Sequence, residues 1–419
     1  MTQTFTESDL ADTLVATADV VVDTDALVRT IKRRARERRR VHVAVAGGVT
    51  AVLAIGAGTT AAALLSSGPT GSGTAVATNP VPTGTATLPA FTGDCLLYLI
   101  AGPLDVEPGH PIRLQDMDPT GRYIVGSYGP PVGPNGEWSP SDGATGQALP
   151  VRWDDGVGRV IPIAGEDINS VFVSGVNQQG AVVGGLRRNG SSAAWVSLDG
   201  TTWSLLPTPP GYDEASAIGI SDNNEIVGYV DEGTAPAPAV WSAGPGDRWT
   251  ARVIDVPDGV AGMALAITHD GLLVGILRGE PYVWDADGTA RALPLPDGLT
   301  WGDVVDARGD WAVGFAPDGT EVAHVLRWNV RTGEVSTFEP ELTGGVWGAA
   351  VNSRGDVAWT HQETYLAGSP ELSTLLVTSD GQQYELPQPA GSEYGMPTPV
   401  ALSDDATLIA GASGELWSC

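Results

Sequence analysis

Two cysteines, Cys95 and Cys419, are the only thiols in 419 residues. A pair so widely spaced has no zinc-site pattern, and the chemistry open to it is a disulfide. Five histidines, His42, His110, His269, His324 and His361, form no H-x-H or H-E-x-x-H arrangement, so metalloprotease spacing is missing. No G-x-S-x-G elbow supplies an activated serine. On these grounds no catalytic residue, cofactor or metal ligand is assigned. Turns such as Asp222-Asn223-Asn224 and Asp285-Ala286-Asp287-Gly288 have oxygen ligands enough for calcium, but Asp, Asn and Gly make turns without it. The other residues suited to gripping a ligand are the 13 tryptophans. Six of them recur regularly; among those that break the pattern, Trp138, Trp301 and Trp347 are the candidate ligand-binding residues. Trp138 sits in a Pro- and Gly-rich insertion, Gly129 to Gln147, which lengthens the first repeat.

The regular positions belong to a repeated unit whose first phrase occurs seven times: an apolar pair, a polar residue, a turn, then an apolar strand. It begins with Met117-Asp118-Pro119-Thr120-Gly121 and Val176-Asn177-Gln178-Gln179-Gly180. Ile220-Ser221, Ile267-Thr268, Val305-Asp306, Val351-Asn352 and Leu402-Ser403 open the later copies. The turn anchors at 121, 180, 224, 271, 309, 355 and 406 lie 59, 44, 47, 38, 46 and 51 residues apart. Five are Gly and one is Asn224, residues that accept positive φ cheaply; Ala406 does not, which implies a different turn there. A second phrase follows each first one. Its strand ends in Trp153, Trp195, Trp241, Trp284, Trp328 or Trp417, with Val377 in the odd copy. A hairpin turn comes next, then a strand stopping near a proline, which cannot donate to a ladder. Each unit is four strands, and a period near 47 predicts an all-β fold, a seven-bladed β-propeller of four-stranded blades. The recurring tryptophans read as packing between blades.

The seventh unit stops after three strands at Leu416-Trp417-Ser418-Cys419. The missing one is found at the front, near residues 95–102, with Pro103 after it. One cysteine begins that strand and the other ends its neighbour, so a Cys95–Cys419 disulfide is expected at the seam. A loop this long gives a nominal stabilisation of roughly 5 kcal/mol in the chain-entropy account. A disulfide also implies an oxidising compartment.

Residues 41–65 contain no Asp, Glu, Lys or Arg and are long enough to span a bilayer as one helix. The basic run Lys32 to Arg40 precedes them and places 1–40 in the cytoplasm as a short helical segment. Small-residue pairs Gly47/Ala51 and Ala54/Gly58 would let two such helices approach closely. Residues 66–90 are uncharged and rich in Gly, Ser, Thr, Pro and Ala, a flexible tether reaching roughly 25–30 Å. The expected domains are thus 1–40, 41–65, 66–90 and a propeller over 91–419. The rival reading of the front is a cleaved export signal with Arg38-Arg39-Arg40 as a twin-arginine element.

The net charge is −28, from 22 basic and 50 acidic residues. Residues 1–40 hold eight basic and seven acidic of these, which leaves 14 and 43, or −29, beyond them. A domain so acidic excludes nucleic acid and anionic lipid as partners. The repeats resemble bacterial extracellular-repeat (HAF-type) propellers, whose phrase is apolar, Asn, two variable residues, Gly, then apolar residues and Gly. Val176-Asn177-Gln178-Gln179-Gly180-Ala181-Val182-Val183-Gly184 carries that resemblance, while Ser221, Thr268 and Asp306 depart from the Asn. Arginine outnumbers lysine 21 to 1, which resembles coding in an actinobacterium. Ser197-Leu198-Asp199-Gly200-Thr201-Thr202-Trp203 resembles the aspartate box of propeller glycosidases but is one residue short. The family likeness defines a fold rather than an activity. The functional expectation is a single-pass cell-membrane protein whose extracellular propeller binds a protein or glycan ligand and is not an enzyme. The alternatives are a propeller-fold carbohydrate-active enzyme and a transmembrane regulator acting through residues 1–40. Paired carboxylates converging on the ring axis would favour the enzyme.

Overall fold

The structure is a computed structural model that describes residues 95–108, 110–129, 148–165, 167–233, 235–244, 248–256, 260–268, 271–285, 288–299, 301–317, 323–338, 344–363, 372–388 and 397–419. The expected cytoplasmic segment, membrane helix and tether lie outside these residues, as does Trp138.

The described residues form seven antiparallel sheets of four strands each. Blade 1 runs Ile112–Met117, Tyr123–Tyr128, Leu149–Asp154 and Val157–Val160 from the innermost strand outward. The innermost strands of blades 2 to 7 are Ile168–Val176, Glu214–Ile220, Gly262–Ile267, Asp303–Arg308, Gly344–Val351 and Pro399–Leu402. Each packs against the next, and that of blade 7 packs against that of blade 1, so the ring is closed. Blade 7 is completed by Leu96–Leu99, which pairs antiparallel with Glu415–Ser418, Leu96 opposite Ser418 and Leu99 opposite Glu415. Cys95 and Cys419 form a disulfide across this seam, 324 residues apart in sequence.

Why the sheets stack is legible in their burial. The strands after the first turn are apolar on both faces, as in Leu273–Leu277, where all five residues are buried. Both faces meet a neighbouring blade, so the core is divided into seven clusters, one at each blade-to-blade interface. The six recurring tryptophans are fully buried in them. Four donate their indole N–H across the interface to a carbonyl one or two residues beyond the preceding blade's outer strand. Trp241 bonds the Pro207 carbonyl (2.8 Å), Trp328 that of Pro294 (2.7 Å), Trp417 that of Pro387 (2.8 Å) and Trp153 that of Ala101 (2.8 Å). In three of the four a proline follows the strand and leaves its carbonyl to a neighbour.

Blade 6 departs from the others for a physical reason. At one position of the second strand the other blades have Gly126, Gly184, Gly228, Gly275, Gly314 and Gly411. The innermost strand bulges beside it, and a Cβ on Gly126 would collide with the Arg113 carbonyl. Blade 6 has Trp359 at that place, and its bulge lies one residue further along, between Trp347 and Ala349. Trp359 is itself buried, and so supplies the indole that the Val377 strand lacks.

Candidate functional site

Most of the polar residues in the first phrase hold the fold together. In six blades a side-chain oxygen accepts the backbone N–H four or five residues on. Asp118 accepts from Tyr123 (2.6 Å), Asn177 from Ala181 (3.0 Å) and Ser221 from Glu225 (3.1 Å). Thr268 accepts from Leu272 (3.0 Å), Asn352 from Asp356 (2.9 Å) and Ser403 from Leu408 (2.9 Å). Any acceptor oxygen serves, which is why Ser, Thr and Asp substitute for Asn. Asn is the better choice because its amide also donates to the next blade: Asn177 Nδ2 reaches the Ser221 carbonyl (2.9 Å) and Asn352 Nδ2 that of Ser403 (3.1 Å). All seven turn anchors take positive φ, from 57° at Ala406, 58° at Gly309 and 59° at Asn224 to 89° at Gly271. Ala406 was expected to need a different turn. It makes the same one, with its N–H donating to the Ser403 carbonyl (2.9 Å) as Gly121 does to Asp118 (3.0 Å).

Blade 5 is the exception, and the phrase read from the sequence is corrected there. Ala307 pairs with Ala312 as Met117 pairs with Ile124, so the polar turn position is Arg308, two residues beyond Asp306. Arg308 pairs with Trp311 across a two-residue hairpin, leaving no looped backbone for a side chain to cap. Its guanidinium instead crosses to blade 1. Nη2 donates to the Met117 carbonyl (3.0 Å) and lies 3.4 Å from Asp116 Oδ1. Blades 1 and 5 are not neighbours in the ring, so a contact between their innermost strands spans the axis.

Asp116 and Asp306 occupy equivalent places, opposite Val125 and Val313. The other five blades have Gly175, Gly219, Ala266, Ala350 and Ala401 there. Each aspartate caps the inner strand of the following blade: Asp116 Oδ2 accepts from Val176 N (2.9 Å) and Asp306 Oδ2 from Val351 N (3.0 Å). Burial pushes the Asp116 carboxyl up to about 7, against the opposing pull of Arg308 and two backbone donors. Burial raises Asp306 too, again opposed by Arg308. For Arg308 burial acts downward, but Asp116, Asp306, Asp404 and Asp118 outweigh it and hold the guanidinium above its ordinary value. Arg308 Nη1 is buried without a hydrogen-bond partner. The axis therefore holds one cation between two partly buried carboxylates, one of which is poised to exchange a proton near neutrality.

The sequence reading assigned no role to Asp116 or Arg308. The signal available was small: a 38-residue spacing before Gly309, and Asp where aligned repeats have Gly or Ala. Of the aromatic candidates, Trp301 is partly buried just before the innermost strand of blade 5. Trp347 is partly buried within that of blade 6, with its indole nitrogen enclosed and unbonded. Trp301 precedes the innermost strand of blade 5 and Trp347 lies midway along that of blade 6, while Arg308 lies at the end of its own. Among the described residues no three His, Cys, Asp or Glu side chains gather as metal ligands. The aspartate-box look-alike is a hairpin: Asp199 accepts from the backbone of Thr201 and Thr202 (both 2.7 Å), which holds its carboxyl well below the usual range.

No protein-family model matches the chain, and no curated protein matches it. Among solved structures, a streptogramin B lyase is 13% identical over 77% of this chain and 96% of its own, with a TM-score of 0.44. The β-propeller domain of the trilobed protease from Pyrococcus furiosus is 14% identical over 71% and 90%, TM-score 0.45. An oligogalacturonate lyase in complex with manganese is 13% identical over 74% and 89%, TM-score 0.45. Their activities are their own, and the fold assigned here rests on the seven sheets.

Proposed function

We propose that the chain is anchored in the cell membrane through 41–65, with 1–40 cytoplasmic, and displays its propeller outside the cell to bind a protein or glycan. The observation that carries this reading is the Cys95–Cys419 disulfide, placed where the chain enters the ring. A disulfide in that position is maintained in an oxidising compartment and locks the seam of the ring. The net charge of −29 beyond the span directs binding away from nucleic acid and anionic lipid. Trp301 and Trp347, on adjacent blades, are the residues assigned to the ligand. The test uses intact cells and a thiol reagent that does not cross membranes, then binding of cell-wall glycans and surface proteins to the extracted chain. The expected result is that Cys95 and Cys419 label only after external reduction, and that Trp347→Ala weakens capture. Labelling without reduction, or a propeller accessible only after lysis, refutes it.

The two axial carboxylates support a second reading, a carbohydrate-active enzyme in which Asp116 transfers the proton. Turnover of a polysaccharide that disappears in Asp116→Asn would favour it over the binding role.

A further inference from the structure

The seam blade carries an unprotected edge. Leu96 (75% exposed), Tyr98 (46%) and Leu99 (70%) lie on the outermost strand of blade 7, and Leu104 (75%) follows. The Leu104 N–H donates to the Gly158 carbonyl (3.2 Å), which sets it against the outer strand of blade 1 beside Val157 (44%). Five of the eight large exposed apolar side chains among the described residues thus fall on one stretch of rim. Sheet edges are ordinarily guarded by charge. The outer strands of blades 1, 3, 4 and 6 carry Arg159, Arg248 and Arg252, Arg291, and Glu385. Leu96–Leu99 has none; the outer strands of blades 2 and 5, Ser204–Leu205 and Val335–Phe338, have none either, but among these uncharged edges only Leu96–Leu99 exposes three large apolar side chains. The disulfide holds this strand in place at its first residue.

We propose that this edge pairs antiparallel with the same edge of a second copy of the chain. A two-fold interface presents one patch to itself, so the patch must be self-complementary. Leu-Leu-Tyr-Leu laid antiparallel on itself opposes apolar with apolar and sets no like charges together. The rest of an acidic domain repels its copy, which makes this uncharged, apolar strand the edge best suited to meet a second one. The chain also enters this strand directly from residues 66–94. Two copies whose spans pair through Gly47/Ala51 and Ala54/Gly58 would present these edges to each other. That last point rests on the membrane reading; the edge itself does not.

Sedimentation of the full chain over about 1–50 µM, spanning a weak to moderate association, tests the pairing. The expected result is a monomer–dimer equilibrium whose dissociation constant rises at least tenfold in Leu99→Lys and in Leu104→Lys. In the unaltered chain, hydrogen exchange at Leu96–Leu99 slows as the dimer fills. A chain monomeric throughout overturns the proposal, as does a dimer indifferent to both lysines. Protection that appears only with zwitterionic vesicles assigns the rim to lipid and overturns it too. Gly47→Leu separates the two readings. A dimer that survives it but not Leu99→Lys belongs to the edge, whether or not 41–65 spans a membrane; a dimer lost only with Gly47→Leu belongs to the span and overturns the proposal.

Discussion

Replacing Asp116 by Asn tests the electrostatics of the axis. Asp116 titrates near 7 in the folded ring, against an ordinary value of 3.8. Folding therefore favours its protonated form. Its contribution to stability is intact below about pH 4, declines as pH rises from there to about 7, and is level above that. The interval corresponds to about 4 kcal/mol, an upper figure because the Asp116 side chain is only partly buried. Asn keeps the shape of the neutral carboxyl, holds one oxygen for the amides of Met117 or Val176, and does not titrate. The variant should match the parent at pH 4, or fall about 1 kcal/mol short for a weaker acceptor. At pH 8 it should exceed the parent by about 3 kcal/mol. Urea denaturation at several pH values, with the disulfide intact and buried tryptophan fluorescence as the signal, measures the difference. Surface carboxylates such as Asp167 and Asp380, held low by their partners, act oppositely in both proteins and cancel. Stability curves of parent and variant that run parallel from pH 4 to 8 would refute the assignment of a raised carboxyl.

Two further outcomes follow from the packing. Trp241→Phe keeps most of the apolar contact but strands the Pro207 carbonyl at the blade interface, and should cost about 1–3 kcal/mol in chemical denaturation without changing circular dichroism. Gly126→Ala drives a methyl into the Arg113 carbonyl and should cost about 2–3 kcal/mol by thermal melting; a variant as stable as the parent would show that the bulge of blade 1 can move as that of blade 6 has.

The ring, its seven units and the strand exchange at its seam were legible because they follow from local chemistry repeated many times. Turn anchors at Gly121, Gly180 and Gly355 take positive φ, tryptophans at Trp153 and Trp241 are buried, and Pro207, Pro294 and Pro387 follow outer strands. Repetition turns weak local signals into a period, and the period implies a closed ring. Even the disulfide was reachable, because strand bookkeeping brought the first and last segments into one sheet.

The axial cluster was not legible in the same way. Asp116 and Arg308 are 192 residues apart, and each looks ordinary beside its sequence neighbours. Reading Asp306 as a turn residue was an error of two positions that only strand pairing corrects. The exposed rim at Leu96 and Leu99 is of the same kind, since a run of apolar residues reads as core until an edge is known to lack a neighbour. The sequence by itself determined the repeated unit and the number of times it closes on itself, because hydrogen-bonding and burial rules act within one blade. Which side chains meet across the axis, and which edge is left uncovered, were decided by tertiary structure alone, because those relations exist between blades that the chain order separates.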